Sequence, residues 1–365
     1  MRRALPRAVT IALPARSPQV LQTKGLLGDP MLCAICRSDS IREVGAIQGY
    51  RQNSFFRVIE CTACGASSAD PLIVDTKLYE AIYKNVRKVP GYSRYHSLAE
   101  EIERQVDPLA FIAQREESYF AIVDALRKHF PKARDVEICE VGCGQGYFTF
   151  ALRKAAYAVT GVDHSVEAVD LARKRYGDFY YSGSLNDYVR STPRRPNFIF
   201  ACEVIEHLQD PVAFVAEALE SLPSGGVLAV TTPNKLQNGD ISTRSVWDTE
   251  LPPIHLWWLT KSSLAAIGKR LDCPVSFTDF TDFYRVTDGF LKRAEARTPI
   301  FDESYNLIQA APAPARLAPV KKAIRKLLPT EVVRRLRRLQ MARLGTLGLR
   351  DDATSETIGA LFKKP

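Results

Sequence analysis

The feature that most constrains this chain lies near its middle. There a short apolar run, Val136-Glu137-Ile138-Cys139-Glu140-Val141, breaks into alternating glycines at Gly142-Cys143-Gly144-Gln145-Gly146, and residues 147–154 then read as a helix. Strand, glycine turn and helix form the entry to a nucleotide-type pocket, because glycines allow a tight turn and let a ligand approach the backbone. The helix N-terminus aims unpaired N–H groups at whatever sits over that turn. Spacing narrows the ligand. The dinucleotide fingerprint G-x-G-x-x-G needs a glycine at position 147, which is Tyr147; the chain has G-x-G-x-G preceded by Glu140. A second short strand, residues 158–163, ends at Asp163. A carboxylate about 20 residues past such a turn can take both hydroxyls of a ribose.

These residues resemble the class I S-adenosylmethionine-dependent methyltransferases. The first motif is Glu140-Val141-Gly142-Cys143-Gly144-Gln145-Gly146, and Asp163 stands where the family has its ribose acid. The resemblance runs to about position 286: residues 197–203 look like the fourth strand, and residues 225–234 like the turn and fifth strand. It implies an α/β, Rossmann-like seven-stranded fold with helices on both faces, S-adenosylmethionine as cofactor, and methyl transfer as the activity. It assigns cofactor contacts to Glu140, Gly142, Cys143, Gly144, Gly146, Asp163, His164, Ser184 and Cys202. The adenine amine would need Ser184 or Asn186 at the exit of the third strand, residues 179–184.

Four of the eight cysteines are paired, as Cys33-x-x-Cys36 and Cys61-x-x-Cys64. Each pair places two thiolates on one tight turn, and two such turns complete a tetrahedral Zn²⁺ shell with no open position, so the zinc would be structural. Residues 44–59 between them suit two short strands. A unit of about 35 residues cannot build its own core, so metal ligation would supply the missing stability. Disulfides would need an oxidising compartment, yet Cys139, Cys143, Cys202 and Cys273 look like unpaired core thiols. The leader also resembles the cysteine-paired N-terminal segments of bacterial small-molecule and sugar methyltransferases.

The +9 net charge is unevenly placed: residues 321–343 carry +8, residues 1–30 carry +4, and the remainder is −3. The body is therefore not basic, and nucleic acid is not the favoured partner. No apolar run is long enough to span a bilayer. Residues 1–30 read as a disordered or mis-started extension ahead of Met31 rather than a targeting segment, because no apolar helical face repeats through its prolines. The expected order is then a zinc ribbon (31–70), a helical connector or lid (71–130), the catalytic domain (131–290), and a linker with a basic amphipathic tail (291–365) suited to a membrane surface or a partner. Tyr79, Tyr83, Tyr92 and Tyr95 cluster in the connector and suit either an aromatic lid or ordinary packing. The last two strands are expected within residues 274–286.

After the fourth strand comes Cys202-Glu203-Val204-Ile205-Glu206-His207. On a helix Glu203, Glu206 and His207 would share one face. With His255 they make a ligand set suited to Mg²⁺, Mn²⁺ or Zn²⁺. The segment is similar to that of small-RNA 3′-end 2′-O-methyltransferases and ubiquinone-pathway O-methyltransferases. That similarity implies Glu203, Glu206, His207 and His255 as ligands of a metal that grips acceptor hydroxyls. Without a metal, Glu206, His207 and His255 remain the catalytic candidates, with either histidine as general base. Trp247, Asp248, Trp257 and Trp258 could line an acceptor pocket, or the tryptophans could seat the capped helix of residues 260–271. The expected function is O-methylation of a small molecule, sugar or lipid-linked glycan by a cytoplasmic enzyme, peripheral at the inner face of a membrane. The alternatives are an RNA methyltransferase and a non-catalytic cofactor-binding or scaffold protein.

Overall fold

The computed structural model describes residues 32–89, 92–131, 136–235, 251–286, 299–308 and 355–365. The N-terminal extension, the acceptor-loop residues Trp247 and Asp248, and the basic segment 321–343 lie outside them.

The first sheet joins β1 (Ile41–Gln48), β2 (Phe55–Cys61) and β3 (Ser67–Asp70) in antiparallel order. Four helices follow: α1 (Thr76–Lys84), α2 (Ser93–Ile102), α3 (Pro108–Ala113) and α4 (Glu117–His129). Asp75 and Asp107 cap α1 and α3 by accepting the N–H groups of Leu78 and Ala110.

Strands and helices then alternate: β4 (Glu137–Val141), α5 (Tyr147–Lys154), β5 (Ala158–Asp163), α6 (Val166–Tyr176), β6 (Tyr180–Ser182), α7 (Leu185–Ser191), β7 (Phe198–Cys202), α8 (Pro211–Ser221) and β8 (Val227–Pro233). Alternation of this kind dictates a parallel sheet covered on both faces, and β7 (Phe-Ile-Phe-Ala-Cys) is accordingly apolar throughout. Beyond β8 lie β9 (Trp257–Trp258), α9 (Lys261–Arg270), β10 (Val275–Phe277), α10 (Thr281–Val286) and β11 (Thr357–Lys363). The sheet order is β10-β11-β8-β7-β4-β5-β6, with β4 to β8 parallel and β11 antiparallel to both its neighbours. This is the seven-stranded fold that the resemblance implies.

Two expectations are corrected here. Residues 274–286 hold one strand and one helix, not the last two strands. The seventh strand is residues 357–363, which fell within the expected tail yet lie between β8 and β10. Gly359 has no room for a side chain, since a Cβ there would stand 2.4 Å from Thr278 Oγ1 and 2.8 Å from Ala121.

The ribbon is not a separate bead. β9 pairs with β3, Ser67 opposite Trp258 and Ser68 opposite Trp257. Ile47, Tyr50, Phe56 and Val58 share a core with Leu78, Ile82, Leu251, Ile254 and Trp258. The stability that the short ribbon lacks therefore comes in part from burial against the body. No helix among the described residues is long and apolar enough to cross a membrane.

Candidate active site

The strand order reverses at β4, whose neighbours are β5 on one side and β7 on the other, and ligands of open α/β sheets bind at the carboxyl edge of such a switch. Gly142, Gly144 and Gly146 all take positive φ there (76°, 48° and 76°). A Cβ at Gly146 would stand 2.6 Å from Tyr180 and at Gly142 2.6 Å from Val204, whereas Gly144 has nothing within 4 Å. Two glycines thus serve packing, and the third faces open space. Asp163 closes β5 and points back at this turn: Oδ2 accepts the Gly144 N–H at 2.8 Å and Oδ1 the Ser165 N–H at 2.8 Å. From α1, Tyr83, an exposed side chain, stands near Asp163 and Cys143. Burial raises the phenol pKa of Tyr95, and Glu203 adds to the rise.

Glu140 is buried beneath the turn, where its carboxylate accepts the Thr149 hydroxyl. Burial pushes its pKa up to about 8 against the opposing pull of Thr149, with Asp163 adding to the rise. Between its ordinary value and about 8, the folded chain keeps a proton that the unfolded chain has released. Stability contributed at this site is thus fully present at low pH and falls as pH rises through that window, by at most about 1.4 kcal/mol per unit. Glu140→Gln has no such proton to lose. Its melting temperature relative to the parent should climb from about pH 5 to pH 8; parallel pH profiles for the two proteins would contradict the assignment.

Other expected cofactor contacts are placed differently. The Ser184 hydroxyl donates to Asp187 Oδ2 at 2.6 Å and accepts the Asp187 N–H at 3.1 Å, capping α7. Those two bonds fix the hydroxyl on the helix and leave one acceptor lone pair. His164 is exposed beside Asp187. Burial raises the thiol pKa of both Cys143 and Cys202, so neither is a ready nucleophile.

The Glu-x-x-Glu-His segment is not a regular helix. Glu203 leaves β7 at φ 56°, a left-handed value unusual for a non-glycine residue, and a single 3-10 turn spans Ile205–His207. That break separates what the helix reading joined: Glu206, His207 and His255 bring ligand atoms within 4.8 Å of one another, and Glu203 is not in that group. His207 lies 4.6 Å from His255 between ring centroids, edge to face, and 6.4 Å from the Tyr79 ring. His207 Nδ1 is 2.7 Å from the Ile254 carbonyl, which can only accept, so Nδ1 carries the proton. In the neutral ring Nε2 then presents a lone pair, 3.9 Å from Glu206 Oε1. Burial lowers the His207 pKa, outweighing the backbone carbonyls of Ile254 and Glu203, and this favours that neutral form. A neutral imidazole with its far N–H on a carbonyl is the arrangement a metal-ligating or proton-accepting histidine needs. The donor set suits a divalent cation of the zinc or manganese type.

Of the two readings of the adjacent tryptophans, their burial supports packing. Both are buried, and Trp257 Nε1 donates to the Leu208 carbonyl at 2.9 Å.

Cys33, Cys36, Cys61 and Cys64 converge with all four Sγ atoms within 4.8 Å of one another. Cys33 and Cys64 are 3.8 Å apart, and Cys36 and Cys61 3.6 Å. Four sulfurs placed tetrahedrally about 2.3 Å from a zinc ion would lie roughly 3.8 Å apart, so the quartet fits the ion. The chain turns sharply after each pair, at Arg37 (φ 66°) and Gly65 (φ 75°).

Residues 111–275 match a family described as a methyltransferase domain. They are a class I S-adenosylmethionine-dependent methyltransferase domain. The domain match stops at residue 275, before the central strand β11. A ubiquinone biosynthesis O-methyltransferase from Actinobacillus pleuropneumoniae is 30% identical over 108 residues, covering 27% of this chain and 46% of that protein. A probable S-adenosylmethionine-dependent methyltransferase from Mycolicibacterium smegmatis is 32% identical over 133 residues, covering 36% and 49%. The chain thus spans about half the length of these curated relatives. A solved S-adenosylmethionine-dependent methyltransferase from Archaeoglobus fulgidus covers 74% of this chain and all of its own at 16% identity, with a TM-score of 0.40.

Proposed function

We propose that this protein transfers the methyl group of S-adenosylmethionine to an oxygen of a small molecule, sugar or lipid-linked glycan. The observation that carries this reading is the gathering of Glu206, His207 and His255 just past the end of β7, on the same carboxyl edge of the sheet as Asp163 and the glycine turn. The ubiquinone biosynthesis O-methyltransferase among the relatives supports oxygen as the acceptor atom.

In this reading Asp163 grips the ribose and the N-terminus of α5 faces the methionyl end. The acceptor hydroxyl lies in line with the S–CH₃ bond: a C–O bond forms as the C–S bond breaks, leaving S-adenosylhomocysteine, and the hydroxyl proton passes to His207 Nε2 or to His255. That base role belongs to the metal-free site: a divalent ion held by Glu206, His207 and His255 would occupy those nitrogens and would supply Lewis acidity toward the hydroxyl in place of the base. Tyr79, Tyr83 and Tyr95 form a lid; burial raises the phenol pKa values of Tyr79 and Tyr95, which stay protonated, while Tyr83 is the exposed outer member. Zinc on the four cysteines is structural. A cytoplasmic location, peripheral to the membrane, is part of the same reading; eight free thiols suit a reducing compartment.

Metabolite and glycan profiling of a deletion strain, followed by transfer of labelled methyl to the missing product's precursor, tests the assignment. Label appearing only in RNA would overturn it, and failure to bind S-adenosylmethionine would point to a scaffold. With the acceptor in hand, His255→Ala should lower turnover about 100-fold with cofactor affinity unchanged, the usual scale of a lost acid–base group. Unaltered turnover would remove His255 from the chemistry.

A further inference from the structure

The segment joining β8 to α9 carries His255, and among its described residues Lys235, Pro252, Leu256 and Thr260 all bond to the cysteine-bearing ribbon. At its start Lys235, only 8% exposed, donates from Nζ to Glu60 Oε2 at 2.7 Å and to the Gly65 carbonyl at 2.8 Å. At its end Thr260 Oγ1 donates to the Cys64 carbonyl at 3.0 Å while capping α9. Between these points the Tyr50 N–H donates to the Pro252 carbonyl at 2.9 Å, and the Ala69 N–H to the Leu256 carbonyl at 2.8 Å. The Leu256 N–H in turn donates to the Glu206 carbonyl at 2.9 Å. Past the loop, Arg270 Nη1 donates to the Ala34 carbonyl at 2.6 Å, inside the other cysteine turn.

The two carbonyls that hold the ends of the loop thus belong to Cys64, a candidate zinc ligand, and to Gly65, its neighbour. Those carbonyls point toward Lys235 and Thr260 only while the Cys61–Cys64 turn keeps its tight form, and ligation of the four sulfurs is what would fix that form. A lysine ammonium buried against one carboxylate and one carbonyl has few other places to go, so it holds the start of the loop at a defined distance from the turn.

We infer that the zinc-bound ribbon is the frame that positions His255 and His207 for the acceptor, with Lys235 as the positioning residue that ties the cysteine turn to the acceptor loop. This rests on the zinc and acceptor-site readings above. It makes zinc occupancy a determinant of acceptor-side order and leaves the Asp163 crevice independent of it, since that crevice is built from β4, α5 and β5.

The test uses the full chain, zinc-loaded and after chelation, and needs no acceptor. Hydrogen–deuterium exchange over residues 251–260 should accelerate roughly tenfold or more on zinc removal while residues 137–163 stay protected. The calorimetric Kd for S-adenosylmethionine should hold within about twofold, a small fraction of the 1.4 kcal/mol that a tenfold change represents. If chelation unfolds the chain, the Lys235 variants decide. Lys235→Met should retain zinc and cofactor affinity yet shift the imidazole NMR signals of His207 and His255, and Lys235→Arg should restore them. Unmoved imidazole signals in a zinc-replete Lys235→Met protein would overturn the proposal alone. Absence of zinc from the parent would overturn it together with the zinc reading. Loss of S-adenosylmethionine binding by the parent would strike the proposed function and leave the framing role standing.

Discussion

Asp163→Ala should weaken S-adenosylmethionine binding by about 100-fold without unfolding the chain. The size follows from two charge-assisted hydrogen bonds to the ribose hydroxyls, together worth about 3 kcal/mol, with each 1.4 kcal/mol a factor of ten. The fold should survive because the carboxylate is half-buried at the rim, where water can replace it on the Gly144 and Ser165 N–H groups. Asp163→Asn should fall between parent and alanine variant, since it keeps the shape and one acceptor but loses the charge. Calorimetry checks this directly. An unchanged Kd for the alanine variant would take the ribose role away from Asp163, and with it the main physical support for the cofactor assignment.

Replacing both members of one cysteine pair should be the most destabilising change. Cys61→Ser with Cys64→Ser is expected to release about one zinc per chain and lower the melting temperature on the order of 10 °C, as several kcal/mol are lost from a body of this size. The quartet is largely buried; the Cys33–Cys64 contact lowers the Cys33 pKa to about 5 and raises that of Cys64, while burial raises that of Cys61, so without a cation the sulfurs share no common charge state and give the turns no fixed geometry. Elemental analysis and thermal denaturation measure the two effects. A parent without zinc and a variant with an unaltered melting curve would leave the cysteine turns as hydrogen-bonded packing only.

The glycine motif was readable because its constraints are local. A turn that needs three positive φ values between a strand and a helix cannot be written without glycine, and a carboxylate closing the next parallel strand comes out at the same edge. The caps of α6 and α9, by Ser165 and Thr260, were legible for the same reason: each is a side chain bonding a backbone three residues on. The cysteine pairs announced themselves by spacing.

What misled was every inference that needed to know a neighbour. The Glu-x-x-Glu-His segment has helical spacing, yet a left-handed residue at Glu203 and a single 3-10 turn remove Glu203 from the cluster, while His255, already expected there, does meet it from a loop about 50 residues away. Tryptophans that could have faced an acceptor became a strand of the ribbon sheet. Lys235 gave no signal at all, since a lysine beside Asn234 gains its role only when Glu60 and Gly65 are folded against it.

By itself the sequence determined the cofactor-binding half of this protein, a strand, turn, helix and acid whose geometry is settled within about thirty residues, and the presence of a four-thiolate cluster. Only the tertiary structure decided what meets across the chain: that Glu206, His207 and His255 stand together without Glu203, that the ribbon bonds to residues flanking His255, and that residues 357–363 complete the sheet between β8 and β10. The physical reason is range. Turns and caps are bonds between near neighbours in the chain, whereas strand pairing and side-chain clusters are contacts across it, and a strand carries no mark of the edge it will fill.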